Sequence, residues 1–410
     1  IASGALPNGD PVIVNADGTV SVVGGASATE AAGSKTTFNA ANSQSLGAAF
    51  DANAGKVVIA FQDYGASGAG RAVVGTVSGT SITFGTEVQY ESGSSYDNNV
   101  IYDANAQKIV IVYRDGGNSN RPKAVVGTVS GTSITFGSIV TISSNSCTAL
   151  YASYDPTSTS IIVVRTDTGN SYYGTANVGT VSGTSISFGT DAVFNSAVTY
   201  AGVPAGDVGS GKVVVGYRDN GNSGYGTAKV GTVSGSSINF GSATVFKTGA
   251  VEDGGIQAVY DPDNQKTVIV YMTSEVKAKV GTVSGTSISF GSEATTSEGW
   301  QWSGAVYDTL ADKIILNFGD TNDGNNGKIL PLSISGTTAT FGTAYEYNST
   351  TTRYTSGIAF DSAAGKSVAA FNDWGTDYQG KAVVYQAAYS STNLTSENYI
   401  GLSSNGYPDT

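Results

Sequence analysis

The chain has 410 residues with 20 basic and 32 acidic side chains, a formal net charge of −12 at pH 7, 55 glycines, one cysteine and no histidine. These counts exclude catalytic units that need an imidazole base and zinc sites built from histidine and cysteine. The acidic balance argues against nucleic-acid partners, and the lack of an apolar run of about 18 residues argues against membrane insertion.

Residues 1–40 precede the first complete copy of a repeat that fills most of the chain. Within them, residues 17–24 (Asp-Gly-Thr-Val-Ser-Val-Val-Gly) match the pattern of the last strand of that repeat. We therefore expect this segment to serve as a closing strand for the final repeat. Residues 25–37 are then expected to form a surface connection.

Residues 41–389 contain seven copies of the repeat. The string Val-Gly-Thr-Val-Ser-Gly-Thr-Ser-Ile-Thr-Phe-Gly fills residues 74–85. Close copies occupy residues 126–137, 178–189, 230–241 and 280–291, and a degenerate copy occupies residues 331–342. A second marker is an aromatic-Asp pair with a Lys five residues after the Asp, as in Tyr102, Asp103 and Lys108. Self-similarity at such a spacing indicates a repeat architecture.

Each repeat predicts four short antiparallel strands. In the second copy the first strand ends at Asp103, and an alternating second strand covers residues 108–113. Residues 124–129 form the third strand, and a Ser-Gly hairpin leads into the fourth strand at residues 133–136. Four-stranded units of this kind predict an all-β fold, a seven-bladed β-propeller. A linear β-solenoid is the structural alternative.

The last repeat predicts how the ring closes. It has a first, a second and a third strand, to about residue 389, but no copy of the fourth. We expect the N-terminal strand to complete this blade, because closure removes the unpaired edges of an open sheet. Residues 390–410 are expected to be a C-terminal tail or the start of a further module.

The loops between second and third strands share one face of a propeller with the connections between blades, and they vary in length. An Asp ends the second strand in six repeats: Asp63, Asp115, Asp167, Asp219, Asp320 and Asp373. The simplest interpretation is that each Asp caps its own turn. Calcium, which takes six to eight oxygen ligands, is the alternative. No spaced run of acidic ligands supports it, so we expect no metal and no cofactor.

Three arginines near the ends of second strands form the most specific polar pattern: Arg114, Arg165 and Arg218. We interpret them as occupying equivalent positions in neighbouring blades. They are either structural partners of aspartates or a clamp for a carboxylate, because guanidinium offers a planar pair of donors. Six-bladed sialidases use three arginines as such a clamp, but their Ser-x-Asp-x-Gly-x-x-Trp box is absent here.

Aromatic residues of the variable face are the other candidate ligand-binding residues: Trp300, Trp302, Trp374, Tyr172 and Tyr225. Tryptophan and tyrosine beside Asn, Asp and Gly are typical of carbohydrate platforms, where a ring packs on a sugar and polar neighbours bind its hydroxyls. The alternative is that these rings fill gaps between blades.

Two strings carry a resemblance to a known family. The 12-residue repeat string and Tyr-Arg-Asp-Gly-Gly-Asn-Ser at residues 113–119 resemble marine phage (cyanophage-type) virion-surface or tail-fibre β-propeller proteins. Residues 6–19 resemble the entry to such domains, and residues 394–401 are similar to a link between modules of phage structural proteins. The resemblance implies a place on the virion surface or outside the cell, and it brings no catalytic residues.

These observations predict a non-enzymatic, virion-exposed structural or adhesion protein. Its expected partners are other virion proteins and a host surface glycan, and we expect several copies in one assembly. Three alternatives remain: a polysaccharide-cleaving propeller that works through two carboxylates, a secreted bacterial adhesin or lectin on the same scaffold, and a purely structural component.

Overall fold

The computed structural model describes residues 12–14, 20–22, 27–299 and 301–390. In these residues the strands pair in antiparallel fashion, and the helical structure consists of short 3-10 turns after four of the second strands. The prediction of an all-β, antiparallel fold is confirmed. None of the described helices has the length and apolar character that a membrane span requires.

Each sequence repeat forms one antiparallel unit. The chain begins with β1 (Val12–Val14), β2 (Val20–Val22) and β3 (Ala31–Ala32). Units 1 and 2 consist of β4 (Thr36–Asp51), β5 (Lys56–Asp63), β6 (Ala69–Ser78), β7 (Ser81–Phe84), β8 (Val88–Asp103), β9 (Lys108–Asp115), β10 (Arg121–Ser130) and β11 (Ser133–Phe136). After β12 (Val140–Thr141), units 3 and 4 consist of β13 (Cys147–Asp155), β14 (Ser160–Asp167), β15 (Tyr173–Ser182), β16 (Ser185–Phe188), β17 (Ala192–Asp207), β18 (Lys212–Asp219), β19 (Tyr225–Ser234) and β20 (Ser237–Phe240).

The remaining units follow the same order, with short additional strands between them. After β21 (Thr244–Ala250), unit 5 consists of β22 (Ile256–Asp261), β23 (Lys266–Met272), β24 (Val276–Ser284) and β25 (Ser287–Phe290). After β26 (Ala294–Thr295), unit 6 consists of β27 (Gln301–Asp308), β28 (Lys313–Asp320), β29 (Asn326–Ser335) and β30 (Thr338–Phe341). After β31 (Tyr345–Thr351), unit 7 consists of β32 (Ile358–Asp361), β33 (Lys366–Asn372) and β34 (Gln379–Gln386). The 3-10 turns are Tyr64–Ala66, Gly116–Asn118, Thr168–Asn170 and Asn220–Asn222.

Local sequence explains the two tight turns of each unit. Between the first and second strands, the Asp103 carboxylate accepts the backbone N–H of Ala106 at 2.9 Å, which closes the turn. Between the third and fourth strands, Gly131 has a φ of 60°, a left-handed conformation that costs glycine little. The hairpin pairs Ser130 with Ser133, as the Ser-Gly signal predicted.

The glycine that ends the repeat string packs against the hairpin of the next unit. A β-carbon built on Gly137 would lie 1.9 Å from the backbone oxygen of Thr184. The same close approach recurs at Gly85, Gly189, Gly241 and Gly291. Since no other residue fits this contact, the final Gly of the string links neighbouring units.

The hydrophobic core lies between consecutive units. Val58 and Val74 of unit 1, for example, belong to one buried cluster with Ile109 and Ile111 of unit 2. A cluster of the same kind joins unit 7 to unit 1. Burying a Val or Ile side chain contributes about 1.5–3 kcal/mol, so these contacts stabilise the stacking of the sheets.

The first strands of the units lie next to one another in chain order, and β32 lies against β4. Ser356, two residues before β32, donates its hydroxyl hydrogen to the backbone oxygen of Leu46 in β4 at 2.5 Å. Sheets that stack face to face around a set of adjacent first strands form a β-propeller-like fold.

The N-terminal segment beside unit 7 differs from the prediction. Val20–Val22 pairs with Val12–Val14 in a separate two-stranded sheet. Ala31–Ala32 pairs with Tyr385 and Gln386 of β34, in the register that a fourth strand has in the other units. The assignment of residues 17–24 to this strand is therefore wrong, and the predicted surface connection at residues 25–37 supplies the pairing. Residues 391–410, expected to be a tail or further module, lie outside the described residues.

Candidate functional site

A central cavity of about 700 Å³ lies among the first strands of the units. Each unit contributes lining residues from its first strand or from the loop before it: Leu46, Asn98, Leu150, Val203, Gln257, Ser303 and Ser356. The lining is mostly amide, hydroxyl and aliphatic. Such a cavity can hold small polar molecules or water.

The charged groups of the cavity lie on the side formed by units 2 to 5. Asp97 forms an ion pair with Arg114 at 2.5 Å, and Asp253 forms one with Arg218. Burial raises the pKa of the Asp97 carboxyl, and Arg114 offsets part of that rise. Burial also raises the pKa of Tyr151, to which Asp97 adds a further increase. Three carboxylates thus line one cavity, those of Asp97, Glu252 and Asp253, and the first and the last each lie beside a guanidinium.

The three arginines do not form one clamp. The register places Arg114 opposite Pro122 and Arg218 opposite Gly226, whereas Thr166 takes that position in unit 3. The interpretation of Arg165 as an equivalent residue is wrong, because neighbouring residues of a strand point to opposite faces. Arg165 aligns instead with Tyr113 of unit 2.

Each arginine has structural partners. Arg165 is fully buried, and its Nη2 lies 3.1 Å from Asp167 and 2.6 Å from Asp191. Arg114 also lies over the ring of Tyr96, 5.3 Å from its centre. Arg218 lies over Tyr200 in the same way, at 5.5 Å. Guanidinium groups with these partners stabilise the units and the cavity wall.

At the end of the second strand, Asp63, Asp167, Asp219 and Asp320 cap the loop to the third strand by accepting a backbone N–H, whereas Asp115 makes no such bond and Asp373 accepts from side chains. Asp63 Oδ1 accepts the backbone N–H of Gly65 at 2.9 Å, and Asp219 Oδ1 accepts that of Gly221 at 3.0 Å. Four of these aspartates also pair with the cation eight residues later, in the pairs Asp63–Arg71, Asp115–Lys123, Asp320–Lys328 and Asp373–Lys381. The capping interpretation is therefore confirmed for four of the six aspartates, whereas Asp115 and Asp373 hold their loops through lysine and other side chains.

No group of three or more Asp, Glu or Cys side chains suited to a metal ion occurs in the described part of the chain. The aspartates of the loops are occupied by backbone N–H groups and lysines, as described above. This chemistry leaves few free oxygen ligands for calcium, which takes six to eight of them.

Exposed aromatic side chains gather in the loops between second and third strands. In the described residues, the aromatic side chains most exposed to solvent are Tyr64, Tyr172 and Tyr378, at 48%, 48% and 45%. All three lie in these loops, and Tyr172 and Tyr378 share the same left-handed position, each with a φ of 61°. Tyr225, another predicted ligand residue, is half-buried at the start of β19.

Trp374 lies at the centre of an aromatic cluster on this face. Its ring meets the ring of Tyr378 edge to face, with centres 4.8 Å apart. The guanidinium carbon of Arg353 lies 4.3 Å from the centre of the Trp374 ring. Tyr354 follows in the chain, and burial raises its pKa, with a further contribution from Tyr64 of unit 1. We call Trp374, Tyr378, Arg353, Tyr354 and Tyr64 the aromatic cluster.

Trp374 lies on the variable face, as predicted, whereas the positions of Arg353 and Tyr354 beside it were not predicted from the sequence. Both residues lie in the connection into unit 7, and connections between units share this face with the loops between second and third strands. Their position in the repeat could therefore have predicted that they lie near Trp374. Trp300 lies outside the described residues, and Trp302 lies in β27. The predictions for these two tryptophan side chains stay predictions.

A scan against protein-family models and a search of curated protein sequences find no match for this chain. Among solved structures, the BP39L lectin from Burkholderia pseudomallei is similar, with a TM-score of 0.61 and 10% identity, over 85% of this chain and 98% of the lectin. AofleA from Arthrobotrys oligospora has a TM-score of 0.50 and 10% identity, over 77% of this chain and 92% of its own. A variant of the NanB sialidase from Streptococcus pneumoniae has a TM-score of 0.49 and 13% identity, over 88% of this chain and 71% of the sialidase.

These similarities concern the fold. At identities this low, the similarity to the BP39L lectin and to AofleA supports the β-propeller-like architecture.

Proposed function

We propose that the protein is a non-enzymatic, glycan-binding β-propeller whose aromatic cluster binds sugar. One observation carries the proposal: on the loop face, the exposed Tyr378 ring meets the Trp374 ring with centres 4.8 Å apart, and the Arg353 guanidinium lies on the indole. Exposed rings at loop positions with fixed backbones stay available to a ligand. Apolar ring faces with polar rims suit the C–H faces and hydroxyls of a sugar.

The chemistry around Trp374 fits this role. Asp377 and Thr376 are exposed in the same loop, where Asp377 pairs with Lys381 and the Thr376 hydroxyl donates to Asp373. Arg353 adds hydrogen-bond donors next to the indole ring. The name of the BP39L lectin makes carbohydrate binding a reasonable role for this fold, although its site residues are not transferred to this chain.

The proposed architecture is a closed ring of seven four-stranded blades. Three contacts across the first and last units support it: the shared core cluster, the bond from Ser356 to Leu46, and the pairing of Ala31–Ala32 with β34. Gly33 adds a fourth, since a β-carbon there would lie 1.7 Å from the backbone oxygen of Thr80. Gly33 thus makes the contact that the final Gly of the repeat string makes elsewhere.

A place on a virion surface is the further proposal that the repeat strings suggest. Several copies on one particle would make weak sites useful. A millimolar site is worth only about 4 kcal/mol, but avidity raises the overall affinity roughly 10²- to 10⁴-fold. In this proposal the partners are other virion proteins on one side and a host glycan on the other.

Binding of the multimerised chain to a glycan array tests the proposal. The test variant is Trp374→Thr with Tyr378→Asn, because Thr168 and Asn120 occupy these two loop positions in other units. The matched control is Tyr172→Asn, which removes an equally exposed tyrosine from the same backbone position. We expect at least a tenfold loss in the test variant, about 1.4 kcal/mol, and little change in the control.

Equal binding by the wild type and the test variant would remove the aromatic cluster from the proposal. A Trp300→Ala/Trp302→Ala variant would then show whether the other two tryptophans carry the binding. A well-folded multimer that binds no glycan would contradict glycan binding and favour a structural role.

One observation favours a second candidate function, cleavage of a polysaccharide. Asp97 and Asp253 both line the central cavity, and glycosidases use two carboxylates about 5–10 Å apart. Incubation with host polysaccharide and measurement of new reducing ends would test it. Turnover that survives in Asp97→Asn and Asp253→Asn variants, or no turnover at all, would eliminate this candidate.

A further inference from the structure

One position of the second strand holds a buried side chain in every unit, two residues before the turn. It is aromatic and apolar in units 1, 6 and 7, where it is Phe61, Phe318 and Phe371. It is polar in the other four units, where it is Tyr113, Arg165, Tyr217 and Tyr271. A polar group at a buried position needs a partner, because an unpaired one costs about 1–3 kcal/mol.

Three of the four polar side chains have a carboxylate as that partner. Tyr113 donates its hydroxyl hydrogen to Glu91 at 2.9 Å. Arg165 donates from Nη2 to Asp191 at 2.6 Å, and Tyr271 donates to Glu293.

Tyr217 has no such partner. Its side chain is fully buried, and its hydroxyl forms no hydrogen bond with any group that the structure describes. Asn195 stands where unit 2 has Glu91; its amide NH2 donates to Thr199 and Asp219, and its amide oxygen accepts no hydrogen bond from Tyr217. The hydroxyl of Tyr217 is therefore a donor without an acceptor.

The register shows which residue is missing. The third strands of units 3, 4 and 5 pair with Ala192, Thr244 and Ala294, respectively. The residue directly before this pairing position is Asp191 in unit 3, Ala243 in unit 4 and Glu293 in unit 5. Unit 4 therefore has an alanine where units 3 and 5 have a carboxylate. Ala243 is exposed, so this position is open to solvent.

A lysine lies on the same face of the unit 4 sheet as Tyr217. Lys229 pairs with Val215, two residues before Tyr217, so both side chains are on one face of the sheet. Its counterpart in unit 3 is Asn177, which contacts both Arg165 and Asp191. Lys229 forms no ion pair within the described part of the chain, and burial lowers its pKa, with nearby Asp219 acting in the opposite direction. Asp219 lies near enough to act on this ammonium but not in ion-pair contact with it, so a half-buried charge is left without a direct partner.

We propose that unit 4 carries a binding site for a small carboxylate anion, made by the Tyr217 hydroxyl and the Lys229 ammonium and open at Ala243. The bound carboxylate takes the place that Asp191 and Glu293 occupy in the neighbouring units. It accepts one hydrogen bond from the hydroxyl and pairs with the ammonium. This site is separate from the aromatic cluster and does not depend on the glycan-binding proposal.

Titration of acetate into the full chain, followed by NMR of ring-labelled tyrosine and by thermal unfolding, tests the site. Three variants use residues found at the same position of other units: Tyr217→Phe as at Phe61, Lys229→Val as at Val73, and Ala243→Glu as at Glu293. Tyr271→Phe is the matched control, because that tyrosine already has Glu293. Titrations with glucuronate and with its uncharged parent sugar compare the binding of a charged ligand with that of a neutral one.

We expect saturable acetate binding by the wild type and by Tyr271→Phe. Binding should weaken at least tenfold in Lys229→Val and in Tyr217→Phe. It should be lost in Ala243→Glu, whose own carboxylate fills the site and raises the unfolding temperature in the absence of acetate. Failure of the wild type to bind acetate, equal binding by all variants, or equally strong binding of chloride would overturn the proposal.

Discussion

The contact between successive units predicts a large effect for a very small substitution, Gly137→Ala. The added β-carbon would lie 1.9 Å from the Thr184 oxygen, whereas ordinary contacts begin at 3.4 Å. The obstacle is a backbone carbonyl in a paired hairpin, so no side-chain rotation relieves the clash. Unit 3 would have to move away from unit 2 by roughly 1.5 Å at this point.

The expected cost follows from known overpacking effects. Extra methyl or methylene groups in a packed region typically cost about 1–3 kcal/mol, and a rigid backbone obstacle favours the upper part of this range. Replacing Gly by Ala also reduces the freedom of the unfolded chain, which returns about 0.4–1 kcal/mol. We therefore expect Gly137→Ala to lower the free energy of unfolding by about 2 kcal/mol.

Urea unfolding followed by far-UV circular dichroism measures this difference. The control is Gly93→Ala, because a β-carbon at Gly93 meets its nearest neighbours at 3.6 Å and needs no movement. The control should match the wild type or exceed it slightly. If the free energy of unfolding of Gly137→Ala lies within about 0.5 kcal/mol of that of the control, the terminal Gly of the repeat string does not link the units.

Three further predictions concern buried charge and closure. Arg165→Met leaves two carboxylates without their cation and should cost about 3 kcal/mol in urea unfolding at pH 7, with partial recovery at low pH. Burial raises the pKa of Asp308 to about 6, so the ionised form costs stability above that pH, and the cost disappears as pH falls towards the ordinary aspartate pKa. Asp308→Asn should therefore stabilise the protein at pH 8 by up to about 3 kcal/mol and have little effect at pH 4, and equal effects at both pH values would contradict this. Deletion of residues 1–26 should leave the unfolding temperature nearly unchanged, whereas deletion of residues 1–35 exposes the edge of β34 and should cause aggregation, detectable by light scattering.

The repeating parts of the fold were predictable because the same physical demands recur in each unit. The Ser-Gly hairpin needs a left-handed glycine, and the final Phe-Gly needs room against the next hairpin, so these residues recur with little change. The closing strand was not predictable in this way. Ala31 and Ala32 pair with β34 as a strand that carries none of the expected side-chain pattern, whereas Val20–Val22, from the segment that carries it, pairs with Val12–Val14.

The candidate site was predictable only in part. The exposed loop position of Trp374 follows from the repeat, but its contact with Arg353 depends on how two loops come together in space. The error at Arg165 has a similar origin. A shift of one residue in register decides which face of a strand a side chain takes. Arg165 lies two residues before Asp167, whereas Arg114 and Arg218 directly precede their aspartates, and this difference in spacing indicated the opposite face.

Because the units share a backbone conformation, a comparison of equivalent residues shows how the aromatic cluster differs from the other loops. Tyr172 and Tyr378 have the same conformation and similar exposure, but Thr168 stands in unit 3 where unit 7 has Trp374. Asp373, before the tryptophan, accepts hydrogen bonds from Asn348 at 3.1 Å, Thr350 at 2.8 Å and Lys381 at 2.9 Å.

The anchoring of this loop has an energetic consequence for binding. A loop already fixed by its buried Asp373 loses little conformational freedom when a ligand arrives, and ordering costs of about 0.5–1.5 kcal/mol per side chain are largely avoided. The rings of Trp374 and Tyr378 also hold each other edge to face, which limits their rotation. A rigid pair of rings on an anchored loop, one half-buried and one exposed, suits a weak, multivalent sugar site, since each copy contributes only a few kcal/mol. The network of structural hydrogen bonds around Asp373 therefore supports the function proposed for the residues beside it.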